Sequence, residues 1–368
     1  MLYALYFVFC LYIVMLMLLT RGWNRAVSIT RQKTEKAVRV TVVIAVRNEQ
    51  ANITTLLEDL AAQTYPYLDV IVVDDHSTDQ TREIVREHCV TAHNVRLMLN
   101  GGAGKKQALT TGIAAAQGEV IITTDADCRV RPGWVESIRS TFSDANTRLA
   151  FGMVRMESKT LFDNIQAVEF ASVLGTGVGA FGWGQPIFCN GANLAFRKSA
   201  FEQVNGYEGN LEVASGDDEF LLRKIRASWP DGIVLLDPIE TLVTTKANPT
   251  LGSLFNQRIR WAGKWRHAPL VSQFLAVSVV LVHLCMITGL FVMAARIDMV
   301  LLPALWGLKM AAEYYFLARV CSILNVRIRP DSFLVLQATY SLYVVSIGIL
   351  SNFASYRWKE RTFLPPAM

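Results

Sequence analysis

The sequence contains little that could build a disulfide framework or a thiolate metal site. Its 368 residues include six cysteines, which are scattered, without a C-x-x-C pair or a histidine at ligand spacing. We therefore expect reduced and mostly buried thiols, as in a cytoplasmic domain. Internal repeats and low-complexity tracts are also absent, which argues against a repeat architecture.

The sequence also lacks a stripe of basic residues interleaved with stacking aromatic residues, so we expect no nucleic-acid partner. Between residues 21 and 39, six basic residues and one acidic residue give +5, the formal net charge of the whole chain. The members are Arg21, Arg25, Arg31, Lys33, Lys36 and Arg39, with Glu35 as the acidic residue. Beside a spanning helix, such a cluster belongs on the cytoplasmic face and attracts anionic membrane lipids. A solvated basic linker and a nucleic-acid-binding arm are the alternative interpretations.

Long apolar runs, by contrast, are plentiful, and hydrophobic residues make up 52% of the chain. Residues 2–19 carry no charge, and a helix of that length rises roughly 27 Å, close to the hydrocarbon thickness of a bilayer. No basic region precedes this run, which is untypical of a cleaved secretory signal peptide. We predict a transmembrane anchor over residues 1–20 and a basic juxtamembrane linker over residues 21–39.

Three further apolar segments lie near the C-terminus, at Leu270 to Ala295, Met299 to Leu324 and Phe333 to Phe353. We predict a C-terminal transmembrane region over residues 269–354 and a basic tail over residues 355–368. The chain is therefore expected to be an integral protein of a bacterial inner membrane, with its central domain in the cytoplasm.

Two features of this region leave its topology open. Lys309 and Glu313 are four residues apart and can pair on one helical face. Charges inside a membrane are costly and often functional, and a tilted or partly re-entrant segment is the alternative interpretation. Three full crossings would also leave Arg357, Lys359 and Arg361 on the outside, against the positive-inside tendency.

The central region alternates short β-branched runs with helical patterns from residue 40 to residue 125. We predict strands at Val40 to Val46, Val70 to Val73, Val95 to Leu99 and Val120 to Thr124. We predict helices around Leu56 and Leu60, over Thr81 to His88 and over Lys105 to Ala116. Apolar strands separated by helices indicate an α/β fold with a parallel sheet covered on both faces. Ligands bind such sheets beyond the carboxyl ends of the strands.

Acidic pairs follow two of these predicted strands. Asp74 and Asp75 can accept hydrogen bonds from a nucleotide base and ribose, whereas Asp79 is suited to capping the next helix. Asp125 and Asp127 offer two hard oxygen ligands, which suit Mg²⁺ or Mn²⁺. A solvated turn is the alternative for this D-x-D sequence.

Three further segments carry polar groups that suit a sugar-phosphate ligand. The glycine-rich run before Lys105 opens a helix, where N–H groups and the lysine can bind an anion. Asn190 and Gly191 let a ligand approach the backbone, although an ordinary tight turn fits them nearly as well. Asp217 and Asp218 begin a helix, where they can favour its dipole or accept a proton from an acceptor hydroxyl.

Residues 251–268 have the apolar spacing of a helix that lies at a membrane interface, immediately before the next apolar segment. Gln257, Arg260 and Trp261 present an amide, a guanidinium and a flat ring within two helical turns. These groups suit a diphosphate and an acceptor that stacks on the ring, whereas Trp261 alone could be an interface anchor.

The chain from Val40 to Trp261 resembles a membrane-bound family 2 glycosyltransferase with a GT-A domain, a Rossmann-like fold that binds nucleotide sugars. The segment Ala45-Val46-Arg47-Asn48-Glu49 resembles the opening nucleotide-binding strand and loop, and Asp75 matches the carboxylate that contacts uracil. Gly104-Lys105-x-x-Ala108-Leu109 matches the phosphate-side segment. The resemblance implies a catalytic domain over residues 40–250 and nucleotide contacts from Ala45, Arg47, Glu49, Asp75, Lys105 and Asp125.

The remaining motifs imply the chemistry. Asp125 and Asp127 match the metal-binding D-x-D of the family, with Mg²⁺ or Mn²⁺ as the cofactor. Asp218 corresponds to the general base, in an Asp-Asp pair where the family usually has Glu-Asp. Gln257-x-x-Arg260-Trp261 matches the Q-x-x-R-W motif of cellulose, chitin and hyaluronan synthases and of ceramide glucosyltransferases. The implied acceptor and diphosphate contacts are Asn190, Gly191, Asp217, Gln257, Arg260 and Trp261.

The resemblance implies a single inverting displacement that moves a sugar from a UDP-sugar donor and leaves a β-glycoside. Four or fewer crossings are few for a polymer channel, so we expect a lipid or short glycan as the acceptor. A processive polysaccharide synthase is the alternative, and a non-catalytic membrane scaffold is a more distant one.

Overall fold

The computed structural model describes residues 2–28, 38–211, 215–265, 268, 270–295, 297–359 and 361–363. Arg31, Lys33 and Lys36 of the basic cluster lie outside the described residues. The helices are α1 (Leu2–Val27), α2 (Ile53–Ala61), α3 (Thr81–Thr91), α4 (Lys105–Ala115), α5 (Trp134–Thr141), α6 (Leu161–Phe181), α7 (Lys198–Gln203), α8 (Asp217–Ser228), α9 (Leu251–Ala262), α10 (Leu270–Ala294), α11 (Leu301–Leu324) and α12 (Pro330–Phe353). The strands are β1 (Val40–Val46), β2 (Leu68–Asp74), β3 (Val95–Leu99), β4 (Val120–Thr123), β5 (Leu149–Phe151), β6 (Val154–Met156), β7 (Leu194–Arg197), β8 (Ile233–Leu235), β9 (Val243–Thr245), β10 (Tyr356–Trp358) and β11 (Arg361–Phe363).

The chain folds into two compact units. The sheet unit comprises Val27–Glu157 and Phe188–Lys246, and the helical unit comprises Met1–Ala26, Ser158–Ile187 and Ala247–Met368. The range 40–250 expected for the catalytic domain is therefore interrupted, because residues 158–187 pack with the N- and C-terminal helices.

The sheet unit is built on a seven-stranded sheet with the order β3-β2-β1-β4-β7-β5-β8. Strands β1 to β4 are mutually parallel, as the alternation of apolar runs and helices predicts. The side chains of β1 are almost all buried, which explains why the run is apolar without alternation. The predicted strands Val40–Val46 and Val95–Leu99 have the bounds that the structure gives them.

The second half of the sheet differs from the predicted parallel arrangement. Strand β7 runs antiparallel to both β4 and β5, and β8 returns parallel to β5. A separate pair, β6 with β9, is parallel. The sheet is therefore mixed and predominantly parallel, because short strands after residue 148 add to its far side in both directions.

Helix α6 is an element that the sequence analysis did not identify. It begins with a capping box, in which Thr160 and Asp163 exchange hydrogen bonds between side chain and backbone. Along its length, Gly175 packs against Val320 of α11, and Gly179 packs against the backbone of Leu19 in α1. Glycine permits these close approaches because a Cβ atom on Gly179 would meet the Leu19 carbonyl oxygen at 2.7 Å.

Three helices among the described residues are long and apolar enough to cross a membrane: Leu2–Val27, Ser272–Ala294 and Pro330–Phe353. They correspond to the predicted anchor and to the first and third C-terminal segments. Helix α11 is not among them, since it carries Lys309, Glu313 and Arg319. Three of the six cysteines, Cys128, Cys189 and Cys321, are buried.

A buried polar cluster joins the helices of this unit. The Lys309 ammonium lies 2.8 Å from a carboxylate oxygen of Glu313, as their spacing predicts. Tyr12 of α1 donates a hydrogen bond of 2.8 Å to Glu313. Gln337 of α12 accepts from Lys309 at 2.8 Å and donates to Glu313 at 2.7 Å. Helix α1 is thus bonded into the helical unit by more than apolar contacts.

We expect Lys309→Met to destabilise the helical unit because it leaves the buried Glu313 carboxylate without its cation. Removing one partner of a buried ion pair costs about 3–5 kcal/mol. The double variant Lys309→Met/Glu313→Gln should be milder, since it removes both charges. The measurement is the apparent melting temperature of the purified protein in detergent.

The matched control is Asp331→Asn, which breaks the exposed Arg329–Asp331 ion pair in the same unit. Exposed pairs contribute roughly 0–1 kcal/mol, so this variant should melt close to the wild type. Equal melting temperatures for Lys309→Met and the control would contradict the prediction.

Candidate active site

The carboxyl ends of β1, β2 and β4 lie at one edge of the sheet. Strand β4 pairs with β1 on the side opposite β2, so the winding direction of the chain changes between β1 and β4. Such a switch leaves a crevice beyond the strand ends. Strand β7 aligns Leu194 with Thr123 at the end of β4, so the segment before β7 starts from the same edge.

Asp75 follows β2 and is 2% exposed. Its carboxylate accepts hydrogen bonds from the side-chain amide of Asn100 at 2.8 Å and from the backbone N–H of Gly104 at 3.0 Å. The Arg47 guanidinium donates to the Asp75 carbonyl oxygen at 2.7 Å and to that of His76 at 2.9 Å. Asp75 therefore holds the start of α4, in addition to its predicted contact with uracil.

Asp74 does not fulfil the expectation that both adjacent carboxylates face a nucleotide. Its side chain is completely buried and lies 2.7 Å from an Arg82 nitrogen. It also accepts a hydrogen bond from the backbone N–H of Ser77. Asp74 thus fixes the turn between β2 and α3. Its side chain and that of Asp75 face different ways, because successive residues of a strand point to opposite faces of the sheet.

The glycine-rich run before α4 uses its amides differently from the anion cradle that was predicted. The Gly102 N–H donates to the side chain of Asn100, the Ala103 N–H to that of Gln107 and the Gly104 N–H to Asp75. Gly104 has a φ of 99°, which L-residues rarely adopt. The positive group that this loop delivers to the site is the Lys105 side chain.

Lys105 lies between acidic residues from two distant parts of the chain. Its ammonium is 2.7 Å from an Asp125 oxygen and 3.4 Å from an Asp217 oxygen. Burial alone lowers the pKa of Lys105, but the charges of Asp125 and Asp217 outweigh burial and raise it. Lys105 is therefore a permanent cation that holds the D-x-D segment and the start of α8 together.

Asp125 and Asp127 fit a divalent metal in the chemistry of their donor atoms. Both are carboxylates, and Mg²⁺ is commonly held by one or two protein carboxylates together with substrate phosphates and water. Among the described residues, no group of three His, Cys, Asp or Glu side chains forms a self-sufficient metal site. Burial, followed by the charges of Asp127 and Asp125, raises the pKa of the neighbouring Cys128 thiol, so Cys128 stays protonated.

Asp218 stands beside the segment that precedes β7. One of its carboxylate oxygens accepts the Gly191 N–H at 3.0 Å, and the other accepts the Glu219 N–H at 2.7 Å. Thr123 at the end of β4 donates to the Gly191 carbonyl oxygen at 2.8 Å. The Asn190 side chain accepts the Ala192 N–H and so closes a tight turn. These contacts fix Asp218 relative to the end of β4.

Two other predicted nucleotide residues have structural contacts. Ala45 lies within β1 opposite Val73. The backbone N–H of Glu49 donates to the Thr81 hydroxyl at 2.7 Å, and its carboxylate accepts from Asn52 at 2.7 Å. Glu49 therefore braces the starts of α2 and α3, and its contact with a nucleotide stays a prediction.

The Q-x-x-R-W residues belong to the helical unit, on α9. The Gln257 side-chain oxygen accepts hydrogen bonds from Arg258 and from Asn248, the latter at 2.9 Å. The Arg258 guanidinium lies 4.5 Å from the centre of the Trp261 ring. Arg260 and Trp261 are both half-buried.

Sequence reasoning missed Asn100 and Glu169. Asn100 directly follows β3, just as the acidic clusters follow β2 and β4, and this position was a usable signal. Glu169 is a lone carboxylate in an otherwise apolar stretch of α6, where charge is costly unless it is paired. Its partner, Arg258, lies 89 residues later, and this spacing gave no sequence signal.

Comparison with known proteins identifies the central domain. The model of the family described as "Glycosyl transferase family 2" matches residues 41–204. The chain contains a family 2 glycosyltransferase domain. The match includes Asp75, Lys105 and Asp125 and ends before Asp217, so it does not extend to the Asp217-Asp218 pair or to the Q-x-x-R-W residues.

Curated relatives are also glycosyltransferases. The chain is 27% identical to "Probable glycosyltransferase YdaM" of Bacillus subtilis (strain 168), over 63% of this chain and 56% of that protein. It is 26% identical to "Poly-beta-1,6-N-acetyl-D-glucosamine synthase" of Staphylococcus epidermidis, over 66% of this chain and 58% of that protein. The chain thus spans little more than half the length of these relatives.

A solved structure shares the fold of this chain. "Mannosyltransferase PcManGT from Pyrobaculum calidifontis in complex with GDP-Man and Mn2+" matches with a TM-score of 0.57 and 19% sequence identity. The match covers 94% of this chain and 97% of the mannosyltransferase. The α/β domain is therefore of the GT-A type, as the sequence motifs imply.

We expect Asp75→Ala to loosen the glycine-rich loop, because it removes the acceptor for the Gly104 N–H. The measurement is hydrogen–deuterium exchange in a peptide that covers residues 100–105, and exchange there should be faster than in the wild type. Asp69→Ala is the matched control: Asp69 lies on the same strand and pairs with Arg96 at 2.8 Å. Unchanged exchange in the Asp75 variant would refute the role of this carboxylate in ordering the loop.

Proposed function

We propose that this protein is a membrane-embedded inverting glycosyltransferase that moves a sugar from a UDP-sugar donor to a membrane lipid or a growing glycan. The product is a β-glycoside. The observation that carries the proposal is the Lys105 cluster, in which one ammonium contacts both Asp125 of the D-x-D sequence and Asp217 of the Asp-Asp pair. Groups suited to the leaving diphosphate and to the acceptor hydroxyl are thereby adjacent in one unit.

The donor is bound at the edge where β1, β2 and β4 end. In this proposal the nucleoside contacts Asp75, Arg47 and Glu49, and Lys105 supplies positive charge to the diphosphate. Asp125 and Asp127 would hold Mg²⁺ or Mn²⁺, which would neutralise negative charge on the phosphates. The mannosyltransferase of the same fold is described with GDP-Man and Mn²⁺, so guanosine donors belong in any donor panel.

Asp218 acts as the general base. Its carboxylate takes the proton of an acceptor hydroxyl, and the oxygen attacks the anomeric carbon on the face opposite the diphosphate. The bond between the anomeric carbon and the diphosphate oxygen breaks, and the nucleoside diphosphate leaves with the electron pair. The Gly191 and Glu219 N–H groups hold Asp218 in place, which reduces the entropic cost of reaching this arrangement.

Gln257, Arg260 and Trp261 serve the acceptor and the diphosphate in this proposal. The helix that carries them belongs to the same unit as the three candidate spans, which supports an acceptor that arrives from the membrane. Two candidate spans follow the catalytic domain in the sequence, and an even number returns the chain to the side it left. Arg357 and Lys359 then lie on the cytoplasmic side, in agreement with the positive-inside rule.

A processive polysaccharide synthase is the second candidate function. It is favoured by the Q-x-x-R-W sequence and by the likeness to a poly-β-1,6-N-acetyl-D-glucosamine synthase. Product size separates the two functions: a single sugar on a lipid supports the first, and a ladder or high polymer supports the second.

The decisive experiment is a panel of radiolabelled UDP- and GDP-sugars, each incubated with detergent-solubilised enzyme, a native membrane lipid extract and Mg²⁺ or Mn²⁺. Mass spectrometry of the product then identifies the sugar and the acceptor. Absence of transfer or hydrolysis with every donor, from enzyme that binds nucleotide and is folded, would favour the non-catalytic scaffold.

We expect Asp218→Asn to lower turnover by about 10²–10⁴-fold, the usual contribution of a general base. UDP affinity should stay near that of the wild type, because Asp218 contacts backbone groups near the acceptor side. The measurements are initial rates and isothermal titration with UDP. Glu219→Gln is the control, since it removes the adjacent carboxylate of α8. If Asp218→Asn keeps most of its turnover, Asp218 is not the general base.

A further inference from the structure

One face of α6 contacts the helix that carries the Q-x-x-R-W sequence. Glu169 and Phe170 follow Gln166 by three and four residues, so both side chains lie on the same side of the helix as that of Gln166. Each contacts residues in or just before α9. The shared face belongs to the helical unit, and none of its three residues has a part in the proposed chemistry.

The first contact is an exchange of hydrogen bonds with Asn248. Gln166 is 1% exposed, and its side-chain oxygen accepts the Asn248 N–H at 2.9 Å. Its side-chain nitrogen donates to the Asn248 carbonyl oxygen at 3.0 Å. Asn248 in turn donates to the side-chain oxygen of Gln257 at 2.9 Å. The segment before α9 is thereby fixed to α6, and Gln257 is fixed to that segment.

The second contact is a buried ion pair. Glu169 is 8% exposed and Arg258 is 5% exposed. Both carboxylate oxygens of Glu169 accept from the Arg258 guanidinium, which makes the pair bidentate and geometrically specific. Burial alone lowers the pKa of Arg258, but the charge of Glu169 outweighs burial and raises it. Tyr343 of α12 also donates to Glu169.

The pair matters because of the other groups that Arg258 touches. The third guanidinium nitrogen donates to the side-chain oxygen of Gln257, and the guanidinium carbon lies over the Trp261 ring. Phe170 packs on the same ring, with 5.8 Å between the ring centres. Arg258 and Asn248 both donate to Gln257, so the amide oxygen is directed towards them and the amide nitrogen points away.

We propose that Glu169 and Arg258 are positioning residues, which fix the amide of Gln257 and the ring of Trp261 in the orientation that receives the acceptor. The proposal rests on the proposed function for the role of the acceptor, and on the geometry of the helical unit for the orientation itself. Arg258 is thus distinct from Arg260 of the same motif: it acts through its neighbours and is buried by them.

The first test is Glu169→Gln, with Glu169→Asp as the conservative variant and Asp331→Asn as the control that breaks an exposed Arg–carboxylate pair. In Glu169→Gln, the acceptor KM should rise at least tenfold while UDP affinity is unchanged. Glu169→Asp keeps the charge and should recover part of the loss. A Glu169→Gln enzyme with the wild-type acceptor KM and kcat would overturn the proposal.

The second test separates positioning from mere stability. The swapped variant Glu169→Arg/Arg258→Glu keeps a buried ion pair but places an acceptor, instead of a donor, beside the Gln257 oxygen. We expect its melting temperature to recover relative to Glu169→Gln, and its acceptor KM to stay raised. Recovery of both quantities would show that the pair serves stability alone and would refute the positioning role.

The third test does not depend on activity. The difference in fluorescence between the wild type and Trp261→Phe isolates the Trp261 signal, and its quenching by acrylamide reports the exposure of the ring. Quenching should increase in Glu169→Gln and stay unchanged in Asp331→Asn. Equal quenching in both variants overturns the proposal. If the wild type transfers no sugar, the proposed function fails while this measurement still decides the orientation of Trp261.

Discussion

The Lys105 ammonium makes the acidic edge of the sheet possible. Asp125 and Asp217 arrive from segments more than 90 residues apart, and both carry negative charge into a partly buried place. Like charges in such surroundings repel one another. A cation at 2.7 Å from one carboxylate and 3.4 Å from the other offsets this repulsion and lets the two carboxylates lie close together.

The position of Lys105 depends in turn on contacts that order the backbone before α4. Asp75 holds the Gly104 N–H, and Gly104 adopts a left-handed conformation that lets α4 start there. The wound order of the sheet places β2 and β4 on opposite sides of β1, with the carboxyl ends of all three strands at one edge of the sheet. Backbone geometry therefore brings the residues of the site together, and the charge of Lys105 offsets the charges of the acidic residues.

The sequence predicted the elements that depend on local order and missed those that depend on distant partners. Strands β1 to β4 were predicted because buried parallel strands are apolar throughout. The positions of Asp75 and Asp125 at strand ends were predicted because both residues follow such strands. The antiparallel strand β7 was not predicted, since four residues with no hairpin partner nearby leave no pattern. Asp74 was misjudged because strand alternation turns it inward to Arg82. The ion pair between Glu169 and Arg258 joins residues 89 positions apart, so no local pattern predicted it. Helix α6 lies within the range 40–250 that was predicted as the catalytic domain.

The helical unit relies on two buried ion pairs, Lys309–Glu313 and Glu169–Arg258. Each carries further hydrogen bonds, from Tyr12 and Gln337 in one case and from Tyr343 in the other. Buried pairs often add little net stability, but they are strict about geometry. Their placement suggests that the arrangement of α1, α6, α9, α11 and α12 is specified by these polar contacts, with glycines such as Gly179 allowing the close packing.

Residues 158–187 leave the sheet unit after Glu157 and return to it at Phe188. Truncation at the two ends of the chain therefore cannot yield the sheet unit alone, because the thirty residues 158–187 remain within it. Isolating the sheet unit would need an internal excision that joins Glu157 to Phe188. The same interleaving means that any continuous segment of the gene that encodes the whole sheet unit also encodes α6.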